Sequence, residues 1–127
     1  MKKVALFILL LIGVVFAENL HWLGDYNKAL AEAKEEGKPL LLLVVNRDKN
    51  STDILKNCFS KDSVVKEVNN KTVAVIVLFE GKNSYPIEMF YTTVFPTLFM
   101  VNSRDESLLH KPLYGEEIRA KTLLKLF

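Results

Sequence analysis

The chain has 127 residues, of which 50% are apolar and 25% are charged, a balance typical of a globular domain. Seventeen basic residues face 15 acidic ones without a basic block, which argues against nucleic-acid binding because such binding depends on neutralising phosphates. Cys58 is the single cysteine, so an internal disulfide is excluded, and so is any mechanism that needs two thiols in one chain.

The first 17 residues have the three regions of a secretory signal. Lys2 and Lys3 form the positive end, Val4 to Phe16 form the apolar run, and Ala17 ends a cleavage site. The run is shorter than the roughly 20 residues that a spanning helix needs, which favours cleavage after Ala17 over a retained anchor. Cleavage removes two of the 17 basic residues, so 15 basic residues face 15 acidic ones in residues 18–127. We expect export to a bacterial periplasm, with no stable membrane anchor after cleavage.

Helix and strand patterns alternate along the mature chain. The first helix has apolar residues at helical spacing, with Asp25 as its N-cap and Gly37 as a left-handed stop. Uninterrupted apolar runs such as Leu40 to Val45 predict strands that are covered on both faces. Helices are predicted at Asp25 to Glu36, Thr52 to Phe59, Asp62 (as cap) to Asn69, Tyr85 to Tyr91 and after Gly115, and strands at Leu40 to Val45, Thr72 to Phe79, Thr97 to Val101 and Ser107 to His110. This pattern predicts one α/β domain with a mixed sheet of about four strands and helices on both faces.

Six short motifs follow one another along residues 20–127. They are Trp22, Ala29-Leu30-Ala31-Glu32-Ala33-Lys34, Lys38-Pro39, Phe59-Ser60-Lys61-Asp62, Phe95-Pro96-Thr97 and Gly115. In this order they resemble the thioredoxin superfamily, and more narrowly its exported bacterial thioredoxin-like proteins. The resemblance implies a thioredoxin-like fold and a cis peptide bond at Pro96. It also implies that the loop of Pro96 presents backbone groups to an extended peptide, although Pro96 can equally serve to shape the turn into the third strand.

The redox motif of that superfamily is missing. The resemblance puts its Cys-x-x-Cys at about Asp48 and Ser51, and no cysteine lies between Leu40 and Asn57. Dithiol chemistry cannot be carried over, whereas the fold is unaffected because fold and function are separable. A peroxidase of the superfamily would need proline where Ser51 stands and threonine or serine where Leu55 stands, which disfavours that activity as well.

Cys58 is expected to be a buried structural residue rather than a reactive thiol. It lies late on the apolar face of its predicted helix, where the partial negative charge of the helix end disfavours a thiolate. Lys56 and Lys61 are close in sequence and would favour a thiolate, so the reactive alternative stays open.

The two histidines and the two glycosylation triplets give little support for a metal site or a modification site. His21 and His110 are far apart in sequence, and metal sites generally need three or four ligands, so no metal and no cofactor is expected. Asn50 and Asn70 begin Asn-x-Thr triplets that fit the acceptor pattern for N-glycosylation, a pattern that also occurs by chance.

An aromatic and methionine cluster precedes and includes Phe95. Its members are Tyr85, Met89, Phe90, Tyr91 and Phe95. Such residues are ordinary core material, and core packing is expected for most of them. Two or more exposed beside Pro96 would instead form an apolar patch suited to a partner chain.

Three hypotheses about function follow from the sequence. In the preferred one, the protein is a periplasmic module without dithiol oxidoreductase activity that binds an exported protein or extended peptide through Phe95, Pro96, Asp48 and Ser51. In the second, it is a single-thiol redox protein that acts through Cys58 by a mixed disulfide or a disulfide-linked dimer. In the third, it is a structural or assembly subunit that needs only a compact domain.

Overall fold

The computed structural model describes residues 19–81 and 85–127, so the predicted signal at residues 1–17 lies outside the described residues. A five-stranded sheet in the order β1-β3-β2-β4-β5 forms its centre. The strands are β1 (Trp22–Leu23), β2 (Leu40–Val45), β3 (Val73–Leu78), β4 (Thr97–Val101) and β5 (Leu113–Tyr114). The helices are α1 (Tyr26–Glu36), α2 (Lys49–Cys58), α3 (Asp62–Lys71) and α4 (Ala120–Leu124), with a 3-10 turn at Gly115–Glu117 before α4.

The sheet is mixed, and β2 lies at its middle. Strands β1 and β2 both pair with β3 in parallel, whereas β4 pairs with β2 and β5 pairs with β4 in antiparallel fashion. In the β2–β4 pair, Val44 stands opposite Thr97. The carboxyl end of β2 therefore meets the start of β4 at one edge of the sheet.

Side chains of β2 alternate between two cores. Leu40, Leu42 and Val44 pack in the layer that contains α1, and the other three residues of β2 pack in the layer that contains α2, α3 and α4. All six residues of β2 are buried. This explains the uninterrupted apolar run in the sequence, because a strand with helices on both faces has no solvent-facing side.

The predicted α/β class, with a mixed sheet and helices on both faces, is confirmed. The sheet has five strands rather than about four, because β1 is two residues long and too short to give a sequence pattern. The strand predicted at Ser107 to His110 is wrong. Glu106 has a left-handed φ of 62°, Leu108 makes an isolated bridge to Val101, and the pairing partner of β4 comes later, at Leu113–Tyr114.

Two helix predictions also need correction. Residues 85–91 form turns instead of a helix, in which the N–H groups of Met89 and Phe90 donate to the carbonyl of Pro86. Asp62 is the first residue of α3 and not its cap, because the extended N-cap conformation belongs to Lys61. Within residues 19–81 and 85–127, no helix has both the length and the apolar character that crossing a membrane requires.

The ends of α1 form as the sequence indicates. The Asp25 carboxylate accepts a hydrogen bond from the N–H of Lys28 at 3.1 Å. At the other end Gly37 has a φ of 67°, and the N–H groups of Gly37 and Lys38 donate to carbonyls of the last turn. These bonds satisfy groups that a helix end otherwise leaves without partners.

We expect Gly37→Ala to lower the free energy of unfolding by about 1 kcal/mol, because a Cβ disfavours the left-handed conformation. No atom lies within 4 Å of the added Cβ, so the cost is conformational rather than steric. Gly24→Ala is the matched control: its Cβ also meets nothing within 4 Å, and Gly24 does not have a positive φ. Urea unfolding checks both variants, and equal stability of the two would contradict the assignment of the α1 stop.

Candidate functional site

Two loops meet at the edge of the sheet where β2 ends. The α2 loop (residues 46–48) leads from β2 into α2, and the proline loop (residues 91–96) leads into β4. Because Val44 is paired with Thr97, the two loops leave the sheet side by side.

The proline loop is fixed by its own residues and by β5. The Phe95–Pro96 peptide bond is cis, which confirms the expectation from the resemblance. The Pro96 carbonyl accepts a hydrogen bond from the N–H of Gly115 at 2.8 Å. The half-buried Phe95 ring packs against Phe79, with ring centroids 4.8 Å apart. Pro96 itself is buried, so the surface of the loop is formed mainly by the residues before it.

Two buried threonines hold the turn of the proline loop. The carbonyl of Val94 lies 2.5 Å from the Thr97 hydroxyl and 3.0 Å from the Thr92 hydroxyl, and the two hydroxyls are 2.8 Å apart, so one of them donates to the carbonyl and the other can donate to its neighbour. The Thr92 oxygen in turn accepts from the N–H of Val94 at 3.1 Å. Both backbone groups of Val94 are satisfied from within the loop, and this fixes the chain immediately before Phe95.

Polar side chains occupy the positions where the resemblance expects cysteines. Ser51 is 1% exposed, and its hydroxyl donates to Asn46 Oδ1 at 2.8 Å. Asn46 Nδ2 donates to the exposed Asp48 carboxylate at 3.0 Å, and Asn46 Oδ1 also accepts from the N–H of Asp48 at 3.2 Å. A hydrogen-bonded network centred on an amide therefore closes the α2 loop.

One hydrogen bond connects the start of α2 to the proline loop. Asn50 is exposed, and its Nδ2 donates to the carbonyl of Phe95 at 3.3 Å. Of the four residues predicted as a site, Phe95 and Pro96 lie in the proline loop, Asp48 lies in the α2 loop, and Ser51 lies in the first turn of α2. Asn46 was missed as a site residue because a polar residue after a strand is ordinary, and Asn50 was singled out only as a possible glycosylation acceptor.

Exposed apolar side chains accompany the proline loop. Met89 is 51% exposed, Tyr91 is 65% exposed and Val94 is 45% exposed, and Ile87 and Tyr114 are also exposed. Val94 Cγ1 lies 3.6 Å from where a Cβ on Gly115 would sit, which places Val94 against the end of β5 that carries Tyr114. Ile87, Met89 and Tyr91 precede Val94 along the chain, within seven residues of it. We call these five exposed residues the apolar patch: Ile87, Met89, Tyr91, Val94 and Tyr114. Exposed apolar residues gathered in one region mark interaction sites more often than scattered ones do.

The aromatic and methionine cluster is divided between core and surface. Tyr85 and Phe90 are buried, and Phe90 packs on Tyr26 and Phe99. Met89 and Tyr91 are exposed in the apolar patch. Core packing was expected for most of the five residues; Tyr85 and Phe90 are buried, Phe95 is half-buried, and the two remaining members face solvent.

Cys58 is buried at the end of α2. It is 3% exposed and packs in the core layer of α2, α3 and α4. Burial raises the pKa of its thiol from the ordinary 9.0 to about 11, against the opposing positive charge of Lys61. Cys58 also borders a groove of about 750 Å³ between α2 and residues 116–121. A thiol in this state is protonated at neutral pH and is a poor nucleophile.

Metal-ligating side chains are dispersed. The backbone N–H of His21 donates to Asn69 Oδ1 at 2.9 Å, and His110 is exposed elsewhere in the chain. In the part of the chain that the structure describes, no three His, Cys, Asp or Glu side chains gather into a group that could hold a metal ion.

Solved structures with a thioredoxin-like fold are similar to this chain. No protein-family model and no curated protein sequence matches it. A thioredoxin from Thermus thermophilus is 16% identical, with a TM-score of 0.72 over 86% of this chain and 85% of that one. The DsbH oxidoreductase is 20% identical, with a TM-score of 0.66 over 87% and 88% of the two chains. A proposed disulphide isomerase from Bacteroides thetaiotaomicron is 20% identical, with a TM-score of 0.71 over 88% and 93%.

At these identities the similarity establishes the fold alone. The chain has a thioredoxin-like fold with a single buried cysteine and no disulfide pair.

We expect alkylation of Cys58 by iodoacetamide at neutral pH to be more than about tenfold slower in the native protein than in urea, because the thiol is buried and protonated. The native rate should rise with pH up to about 11. Mass spectrometry of quenched samples follows both reactions. A native rate equal to the rate in urea would show that the thiol is accessible, and would favour the single-thiol hypothesis.

The raised pKa of Cys58 also predicts a loss of stability at alkaline pH. Between pH 9 and about 11 the unfolded thiol releases its proton while the folded thiol keeps it, so the free energy of unfolding falls as pH rises. Tyr26 and Tyr85, whose pKa values are also raised by burial, act in the same direction above pH 10. Cys58→Ala should abolish the fall in the free energy of unfolding between pH 9 and 10, where Cys58 alone contributes to it. Urea unfolding at a series of pH values measures both slopes, and an unchanged slope in Cys58→Ala would contradict the prediction.

Proposed function

We propose that this protein is an exported thioredoxin-fold module without dithiol oxidoreductase activity that binds an extended segment of a partner protein at the proline loop. The observation that supports the proposal most directly is the apolar patch beside a loop whose backbone is held by internal hydrogen bonds. Rigid backbone groups next to apolar surface are what recognition of an extended chain uses.

Backbone pairing would occur at Phe95. Its N–H makes no hydrogen bond within the described residues, and its carbonyl bonds to a side chain instead of to another strand. An extended segment lying along this residue would pair with both groups, as a strand added to a sheet edge does.

Affinity would come from apolar side chains of the partner on the patch. Methionine adapts to different shapes because it is unbranched and polarizable, and tyrosine adds a large apolar area with a hydroxyl at its end. Met89, Tyr91 and Val94 supply such a surface. The expected partner segment is therefore extended and carries at least one large apolar side chain.

Redox chemistry at this site has no support from the residues present. Ser51 and Asp48 carry a hydroxyl and a carboxylate, which do not form disulfides. The single-thiol alternative would act through Cys58, but burial of that side chain and its raised pKa oppose nucleophilic attack.

The proposal that the protein is exported rests on the sequence pattern of residues 1–17. Cleavage after Ala17 would leave Glu18 as the first residue of the mature protein. Expression of the full chain in a bacterium, followed by cell fractionation and intact-mass measurement, tests this step separately from binding.

We expect Tyr91→Ala to weaken peptide binding at least about fivefold, because it removes the most exposed apolar side chain of the patch. The probe is a fluorescent heptapeptide selected from a displayed random library on the purified protein, with its affinity measured by anisotropy. Leu109→Ala is the matched control: Leu109 is 44% exposed but bonds to Met100, toward the opposite end of β4. Enrichment of no sequence from the library, or equal loss in both variants, would count against the proposed site.

A further inference from the structure

We propose that the Asn50 amide competes with a bound segment for the peptide-pairing carbonyl of Phe95, and that only a segment with a backbone N–H at the residue that pairs with Phe95 can replace the bond that Asn50 makes. Proline at that residue would be rejected. The proposal rests on the proposed function and adds to it a residue that sets specificity.

Asn50 in the free protein takes the place that a partner's N–H would occupy. Its Nδ2 donates to the Phe95 carbonyl at 3.3 Å, across 45 positions of sequence. The N–H of Phe95, by contrast, makes no hydrogen bond within residues 19–81 and 85–127. A residue in a hydrogen-bonded antiparallel pair exchanges two bonds with its partner, one through its N–H and one through its carbonyl. At Phe95, the N–H has no partner within the described residues, and the carbonyl already accepts one bond from a side-chain amide.

The bond from Asn50 is weak enough to be displaced. Asn50 is exposed, and its bond to Phe95 is near the long end of the range for an N–H to oxygen hydrogen bond. Rotation of the side chain would expose the amide to water, which can replace the lost partner. A peptide N–H that approaches the Phe95 carbonyl therefore exchanges one hydrogen bond for another at small cost.

Neither loop needs Asn50 for its shape. The α2 loop is closed by the Asn46 amide with Ser51 and Asp48. The proline loop is held by the threonine hydroxyls and by the bond between Gly115 N–H and the Pro96 carbonyl. The contact between Asn50 and Phe95 lies outside both networks, so its main effect falls on the accessibility of the carbonyl.

A partner residue without an N–H cannot take over the bond. A proline or an N-methylated residue opposite Phe95 has no N–H to exchange for the Asn50 amide, so the pair would keep only the bond between the Phe95 N–H and the partner's carbonyl. Other residue types can supply the donor. The contact at Phe95 would thus discriminate between partners by their backbone, whereas the apolar patch would discriminate between them by their side chains.

The test compares Asn50→Ala with the original protein, using the selected heptapeptide as the probe. Without the competing amide, Asn50→Ala should bind the peptide about threefold to tenfold more tightly, the range that one exposed hydrogen bond is worth. Asn50→Asp cannot donate to a carbonyl and should bind more tightly as well. Asn57→Ala is the matched control, since Asn57 is an exposed asparagine on the same helix near its end.

A second measurement examines the partner's backbone. Single N-methylation at each residue of the heptapeptide should reduce affinity for the original protein more than about tenfold at one central residue. Equal or weaker binding by both Asn50 variants would overturn the role of Asn50 and leave the proposed function standing, whereas an N-methyl scan without such a residue would also overturn the backbone pairing at Phe95 that the proposed function includes. Absence of peptide binding by the original protein would overturn both.

Discussion

The antiparallel pairing of β2 with β4 is the constraint on which the site depends. It sets Val44 opposite Thr97, and so it brings the α2 loop and the proline loop to the same edge of the sheet. A shift of this register by one residue would exchange the faces of every side chain in β2. Leu40, Leu42 and Val44 pack in one core and the other three residues of β2 in the other, so such a shift would require both cores to repack. The position of the loops is thus fixed by packing that lies well inside the domain.

Hydroxyl and amide groups close the α2 loop through hydrogen bonds. Ser51 is buried, and a buried hydroxyl without a partner is unfavourable, so its bond to Asn46 compensates for loss of contact with water. The Asn46 side chain serves three groups at once, since it also bonds to the carboxylate and the N–H of Asp48. The loop keeps a defined shape through these contacts.

Sequence patterns predicted those parts of the molecule that local rules determine. The strands β2, β3 and β4 follow from apolar runs, and the ends of α1 follow from Asp25 and Gly37, whose roles are visible in the residue type. The two-residue strands β1 and β5 depend on long-range pairing and carry no period of their own. Residues of the candidate functional site differ in the same way. Pro96 is recognisable from its motif, whereas Asn50 matters only because folding brings it to a carbonyl 45 residues away.

The contact between Ser51 and Asn46 makes the shape of the α2 loop independent of the redox potential of the medium. A pair of thiols at a loop of this kind exists in two covalent states, and the ratio of these states follows the redox potential of the medium. A hydrogen bond between a hydroxyl and an amide exchanges no electrons. Thiol reductants such as glutathione, and disulfide oxidants, therefore leave the hydrogen bonds of the α2 loop unchanged.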